Sequence, residues 1–517
     1  MSRAVILSLA VVLASCAGKQ RPPAAPASTP TTRAPQSATV DMRLLAFNDV
    51  HGHLEPETAG GKPRYGHGGV LGLAREIRAR RTTHSFVLSA GDLFGASPLL
   101  SSMFDHAPTV AAMNALGLDI SALGNHEFDR GVPALRTALT AAKFEVLGAN
   151  VFANGERAFA PYSLRDVDGI PVAFIGLTTK DTRTLVIGER IKGYSFADET
   201  ETVNAVVAEL QPKGVQAFVV LIHEGGTHHG GLNDCNNLKG PIVEIAAGLS
   251  PAVDVIVSGH THQAYNCVLS GKRVTSALSY ARMLTQIDVK LDRVTRDIKD
   301  VDAHNVVVDD GAADMAVATA LAPFVDRAKP VLEKVVGRVT ATVKTEANAD
   351  GEAPLGSLAA DAQLDATRAA GAQLALVNSG GLRADIPFVS ERNGDVRYSE
   401  VYAAQPFGNA LVTTSITGKA LKRAISGAMW DGEGLLQVSA NVAIVWADGK
   451  IVSMSVDGAA VQDDTTYRVT INEYMAAAAP WKSGKDAVVG ITDSDALVKF
   501  LGKGVYTPKP GRIVRKR

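Results

Sequence analysis

Val253-Asp254-Val255-Ile256-Val257-Ser258-Gly259-His260-Thr261-His262 joins a short apolar run to a knot of polar side chains, and that junction decides how the chain folds. The run from Val253 to Val257 is short and rich in β-branched residues, as a buried strand is, and a glycine follows it. The same grammar recurs upstream. MRLLAF (Met42 to Phe47) ends in Asn48-Asp49-Val50-His51, and SFVLS (Ser85 to Ser89) ends in Ala90-Gly91-Asp92. DISAL (Asp119 to Leu123) ends in Gly124-Asn125-His126-Glu127, and AFVVLI (Ala217 to Ile222) ends in His223-Glu224. A sixth run, VAFIGL (Val172 to Leu177), is apolar throughout. GVLGLAREIRARR, APTVAAMNALG and TVNAVVAELQ lie between these runs with apolar residues at helical spacing. Strand and helix alternation over residues 41–305 predicts a layered α/β domain.

In such sheets, sites form in the crevice beyond the carboxyl ends of the strands. Asp49, His51, Asp92, Asn125, His223, His260 and His262 all stand at such ends, so distant positions are predicted to converge. Carboxylate, imidazole and amide donors without a thiolate suit borderline divalent ions and exclude Fe–S or soft copper sites. Seven donors exceed what one tetrahedral ion takes and fit two ions, with Asp92 bridging. Taken one at a time, each cluster is also what a turn or a helix cap looks like. His228 and His229 read as exposed loop residues.

Outward from this core, composition sets limits. The 517 residues include 52 basic and 53 acidic ones, a balance that argues against coating a nucleic-acid polymer or an anionic membrane by charge. The apolar run from Ala4 to Ala14 is too short to span a bilayer, which takes about 20 residues. It follows Arg3 and reads as the h-region of a secretory signal over residues 1–15. Leu13-Ala14-Ser15-Cys16 resembles the lipobox of bacterial lipoproteins, which implies a lipid anchor on Cys16 and an exported protein, periplasmic or at the cell surface. Residues 16–40, rich in Pro, Ala, Ser and Thr, read as a solvated tether. Cys235 and Cys267 form an even pair, a candidate disulfide in an exported protein and free thiols in a reducing compartment.

The ordered motifs Asp49-x-His51, Gly91-Asp92, Gly124-Asn125-His126-Glu127, His223 and Gly259-His260-x-His262 resemble those of the bacterial 5′-nucleotidases of the calcineurin-like metallophosphoesterase superfamily. The resemblance implies a four-layer α/β/β/α metallophosphoesterase domain over 41–305. A linking helix follows over 306–337, with interruptions or kinks expected at Pro323 and Pro330. A smaller α+β substrate-binding domain is expected over 338–517. The resemblance further implies that Asp49, His51 and His262 hold one ion, that Asn125, His223 and His260 hold the other, and that Asp92 lies between them. Zinc, manganese, cobalt and iron are not distinguished. It gives His126 and Asp129 a paired catalytic role, and their spacing suits a carboxylate orienting an imidazole.

In the C-terminal half, Asn378-Ser379-Gly380-Gly381-Leu382-Arg383 resembles the family's substrate loop, with Asn378 and Arg383 as contacts. Gln405-Pro406-Phe407-Gly408-Asn409 resembles the segment whose Phe407 stacks on the base and whose Asn409 bonds to its edge. Two departures stand out. Asp350-Gly351-Glu352 replaces a stretch where many relatives carry Arg, and AAAPWKSGKD replaces a Gly-Gly-Asp-Gly-aromatic motif. Trp481 is the expected second stacking aromatic, one residue out of register. The resemblance implies hydrolysis of nucleoside 5′-monophosphates, a small-molecule substrate with no nucleic-acid polymer as partner. Cyclic 2′,3′-nucleotide, nucleotide-sugar and thiosulfate-ester hydrolysis are the alternatives within the superfamily. An inactive nucleotide-binding lipoprotein is the alternative outside it.

Overall fold

Alternating side chains along the strands sort the N-terminal half into layers. In the strand Thr39–Phe47, Met42, Leu44 and Ala46 face one apolar core, while Leu45 and Phe47 face another. In Ala217–His223, Ala217, Val219 and Leu221 join that first core, whereas Phe218, Val220 and Ile222 meet a third. Such a period of two with both faces buried is what a strand between two apolar layers requires. The protein, described by a computed structural model over residues 37–56, 65–309, 311–430, 435–478 and 481–516, thus stacks two six-stranded sheets face to face. The helices Val70–Arg80 and Ala107–Leu116 cover one outer face, and Glu199–Leu210 and Pro241–Gly248 the other. The expected signal segment, Cys16 and most of the tether lie outside the described residues. Among the described residues, no helix is long and apolar enough to cross a membrane.

Strand direction places the polar clusters. Thr39–Phe47, Ser85–Ser89 and Ile120–Ala122 run parallel in one sheet, and Ala217–His223 and Val253–Ser258 run parallel in the other. Their carboxyl ends share one edge of the sandwich. There the backbone N–H groups of Asp49 and His51 donate to the carbonyls of Gly91 and Asp92, at 3.0 and 2.9 Å.

Of the interruption or kink expected at Pro323 and Pro330, the interruption is not seen. Met315–Leu332 is one helix with both prolines inside it. Asp314 caps its start by accepting from the N–H groups of Ala316 and Val317, and Val317, Leu321 and Ala328 anchor one face in the first domain's core. Burial of that stripe offsets the lost backbone bonds, and Pro330 falls in the last turn, where little helix remains to disrupt.

In the C-terminal half, Leu374–Val377 pairs in parallel with Thr466–Asn472, so Asn378 and Asn472 emerge side by side. Ala410–Thr417 runs antiparallel to the latter strand and sets Asn409 at the same end, with Leu411 opposite Asn472. Glu352 is 2% exposed and accepts from Ser357 Oγ and from the N–H groups of Gly511 and Arg512. It fastens the C-terminal strand to the helix Pro354–Thr367.

Candidate metal centre and substrate cavity

Five donor residues sit in left-handed backbone that side chains rarely adopt: Asp49, His51, Asp92, His260 and His262 have φ between 48° and 71°. Strain of this kind persists only where the surroundings hold it, and it gathers at functional sites. Close packing explains the neighbouring glycines. A Cβ on Gly124 would lie 2.1 Å from Asp92 Oδ1, and one on Gly91 would lie 2.6 Å from the nitrogen of Gly124.

These loops bring the donors together. Asp92 Oδ2 lies 3.0 Å from His223 Nε2 and 3.5 Å from His51 Nε2. Asp49 Oδ1 lies 3.4 Å from His262 Nε2 and 3.8 Å from His51 Nε2. His51 and His262 approach Nε2 to Nε2 at 3.1 Å. Three groups are near enough to share a cation: Asp49 with His51 and His262, His51 with Asp92 and His126, and Asp49 with Asp92 and His223. His260 packs against His223, with ring centroids 5.2 Å apart, and its N–H donates to the Asp49 carboxylate.

Protonation matches ligation. His51 Nδ1 donates to Gly95 O at 2.9 Å and His223 Nδ1 to Ala90 O at 2.8 Å, which turns both Nε2 lone pairs inward. Burial lowers His260 and His262 to about 4, so both are neutral. Burial would raise the Asp92 carboxyl, but the His223, His126 and His51 imidazoles outweigh it and hold it below the usual range. The Asp49 carboxyl is held down in the same way by His262 and His223. His223 resists burial and is raised to about 10 by Asp92 and Asp49, so a cation here takes the place of that proton. Asn125 Oδ1 is buried with no hydrogen-bond partner among the described residues. Such an orphaned oxygen is costly unless a ligand meets it, so the donor set fits divalent metal.

Beside the donors, His126 Nδ1 lies 2.8 Å from Asp129 Oδ2, and the His126 N–H donates to Asp92 Oδ1 at 2.9 Å. A cavity of about 220 Å³ opens onto His126, Asp129 and His260. Asn378, Arg383, Phe407 and Asn409 close it from the C-terminal half. The Phe407 ring stands 5.8 Å from the His126 ring. Trp481, expected to stack on the base, is instead 6% exposed and buried in the C-terminal core, away from the cavity lining. The cavity aromatic of that segment is Tyr474, on the short helix Glu473–Ala477. Cys235 and Cys267 are disulfide-bonded and tie the loop after His223 to the strand that follows His262.

Behind Asn409 sits Asp493, whose N–H donates to the Asn409 carbonyl at 2.9 Å. Burial, with Glu473 adding to it, raises its carboxyl to about 7. The folded state therefore holds a proton that the unfolded chain gives up near pH 3.9, and stability falls as pH rises from about 4 toward 7. Asp493→Asn is expected to match the wild type below about pH 4 and to exceed its stability by about 2–4 kcal/mol at pH 8. Thermal denaturation at both pH values checks this, and equal midpoints at pH 8 contradict it.

Sequence reasoning passed over Glu127. This buried carboxylate accepts from the N–H groups of Asp92, Leu93, Phe94 and Gly124, stapling two donor loops together. The signal was present as the fourth residue of Gly124-Asn125-His126-Glu127, but a carboxylate that binds only backbone looks in sequence like any acid. Glu127→Gln turns an NH₂ toward amide donors. The expected cost is about 2 kcal/mol or more of stability, together with weaker metal retention. Denaturation midpoints and metal titration read both, and a variant unchanged in each excludes the staple.

Residues 42–264 match the calcineurin-like phosphoesterase family, and residues 335–480 match the 5′-nucleotidase C-terminal domain. The chain is 31% identical over 510 residues to Endonuclease YhcR of Bacillus subtilis, covering 92% of this chain and 41% of YhcR. It is 28% identical over 551 residues to the 5′-nucleotidase of Vibrio vulnificus, covering 96% and 95%. The crystal structure of a 5′-nucleotidase precursor from Thermus thermophilus superposes with a TM-score of 0.76 at 27% identity, covering 92% of this chain and 99% of that one. The chain thus spans under half of YhcR and nearly all of the other two. Two domain matches in the same order as the donor-bearing sandwich and the cavity-closing half place the chain among the calcineurin-like phosphoesterases that carry a 5′-nucleotidase C-terminal domain.

Proposed function

We propose that the chain is a two-metal phosphoester hydrolase that releases phosphate from nucleoside 5′-monophosphates outside the cytoplasm. The observation that carries this reading is Asp92, an ionised carboxylate shared by two donor groups and bonded to the backbone of His126, which lines a cavity walled by both halves of the chain. Asp49, His51 and His262 would hold one ion and Asn125, His223 and His260 the other, with Asp92 between. When bound, divalent ions there supply Lewis-acid charge at the phosphoryl oxygens and a water of lowered pKa.

The chain's own groups do the rest. His126, oriented by Asp129, gives a proton to the departing ester oxygen. Arg383 offers a forked donor to the phosphate. Asn378, Asn409 and Phe407 position the nucleoside, with Tyr474 taking the place expected of Trp481. Export through residues 1–15 and a lipid anchor on Cys16 complete the proposal.

A phosphodiester substrate is the second reading, favoured by the identity to a relative named an endonuclease. Purified protein with manganese should release phosphate from AMP faster than it hydrolyses 2′,3′-cyclic AMP, UDP-glucose, p-nitrophenyl phosphate or a DNA oligonucleotide. Faster turnover of the oligonucleotide or the cyclic ester replaces the monoester reading, and nucleotide binding without turnover of any ester overturns the enzyme.

A further inference from the structure

Arg190 spans the cleft between the two halves of the chain. It stands in the turn Gly188–Ile191, anchored by buried Ile191 in the first domain's core. Its guanidinium donates through Nη1 to the backbone carbonyl of Asp129 and through Nη2 to Glu473 Oε1, the latter at 2.9 Å. Asp129 is the residue that orients His126. Glu473 opens the helix Glu473–Ala477, which Asn472 caps by accepting from the Met475 N–H. The same Asn472 side chain donates to Asn378 Oδ1 at 3.0 Å. One planar fork thus connects the imidazole–carboxylate pair of one half to the substrate loop of the other, and Arg190, Asp129, Asn378 and Asn472 all line the cavity.

The fit is tight on the catalytic side. A Cβ on Gly131 would lie 3.1 Å from the Arg190 carbonyl, and Gly131 adopts φ 83°, so the loop after Asp129 is shaped around this turn. The ion pair is about one-third exposed at both partners, and such pairs add little to global stability. What the fork fixes is geometry, because a guanidinium holds its two terminal nitrogen donors in one rigid plane, whereas an ammonium offers a single freely rotating nitrogen.

We infer that Arg190 is a positioning residue that couples the seating of the substrate-binding half to the placement of the His126–Asp129 pair. The kinetic part of this inference rests on the hydrolase reading above; the link itself does not. Misplacing a catalytic group by an ångström costs up to about a hundredfold. Arg190→Ala and Glu473→Ala are each expected to lower kcat by about tenfold, and the double variant to lose no more than either, as one shared interaction demands. Arg190→Lys should fall between wild type and Arg190→Ala.

Hydrogen exchange reads the link without turnover. Glu473→Ala should speed amide exchange at residues 129–132, across the cleft from the substitution, with metal content unchanged. Losses that multiply to about a hundredfold in the double variant overturn the coupling, as does kcat within about twofold of wild type in either single one. Unaltered exchange at 129–132 in Glu473→Ala overturns it as well. If the wild type hydrolyses no ester, the hydrolase reading falls and the exchange result alone decides whether the link exists.

Discussion

Asp92→Asn is expected to empty the metal centre and lower phosphate release by about a thousandfold or more, the scale of losing both Lewis-acid charge and an activated water. Asp92 is the one carboxylate that belongs both with His51 and His126 and with Asp49 and His223. The substitution keeps size and shape, and the amide oxygen can still accept the His126 N–H that Asp92 Oδ1 now accepts. The loop therefore has no steric reason to move. What changes is charge: the variant removes one negative charge from a fully buried site and turns a neutral amide toward imidazoles already crowded within 3.0–3.5 Å. Cations bound among neutral histidines and a single remaining carboxylate, Asp49, lose much of their Coulombic stabilisation at low dielectric. Elemental analysis beside turnover decides the matter. Two equivalents of metal retained, or activity within tenfold of wild type, would remove Asp92 from the centre.

The strands were readable because both of their faces are apolar. Ser85–Ser89 has the extent its sequence suggested, and Val253–Ser258 and Ala217–His223 each run one residue past their apolar runs, into the polar cluster itself. Convergence of the clusters was also readable, since parallel strands must present their carboxyl ends together. The left-handed φ values of Asp49, His51 and Asp92 were not, because no glycine marks those positions and only the assembled loops hold them. Glu127 escaped notice for a related reason: its partners are backbone N–H groups, which every sequence possesses. The placement of Trp481 failed because the aromatic that reaches the cavity, Tyr474, stands seven residues earlier in the chain. Without the glycine-rich motif, Asn472 caps a helix that carries Tyr474 to the cavity, while the indole folds into the core. Neither proline interrupts Met315–Leu332, where tertiary burial outweighs a local penalty.

His126→Asn is expected to keep its metals and lose about 10²–10⁴-fold in kcat, the range that a positioned proton donor contributes. The alternative is built into the same geometry, for the His126 ring lies near enough to His51 and Asp92 to join them around a cation. Two features favour the donor. Nδ1 is engaged by Asp129 at 2.8 Å, and the ring faces the cavity beside Phe407, on the side where an ester would sit. Burial works against the charged ring, yet Asp129 and Asp92 together raise its pKa, so the imidazolium form is favoured. Asparagine has no proton to give, but its backbone N–H still donates to Asp92, leaving that carboxylate placed. A lost proton donor also leaves a signature that a lost ligand does not. Nitrophenolate departs without protonation, whereas the ribose oxygen of AMP needs it, so the variant should retain far more of its rate on p-nitrophenyl phosphate than on AMP. Equal losses on the two esters, accompanied by loss of metal, would make His126 a ligand and leave the leaving group to be protonated by solvent.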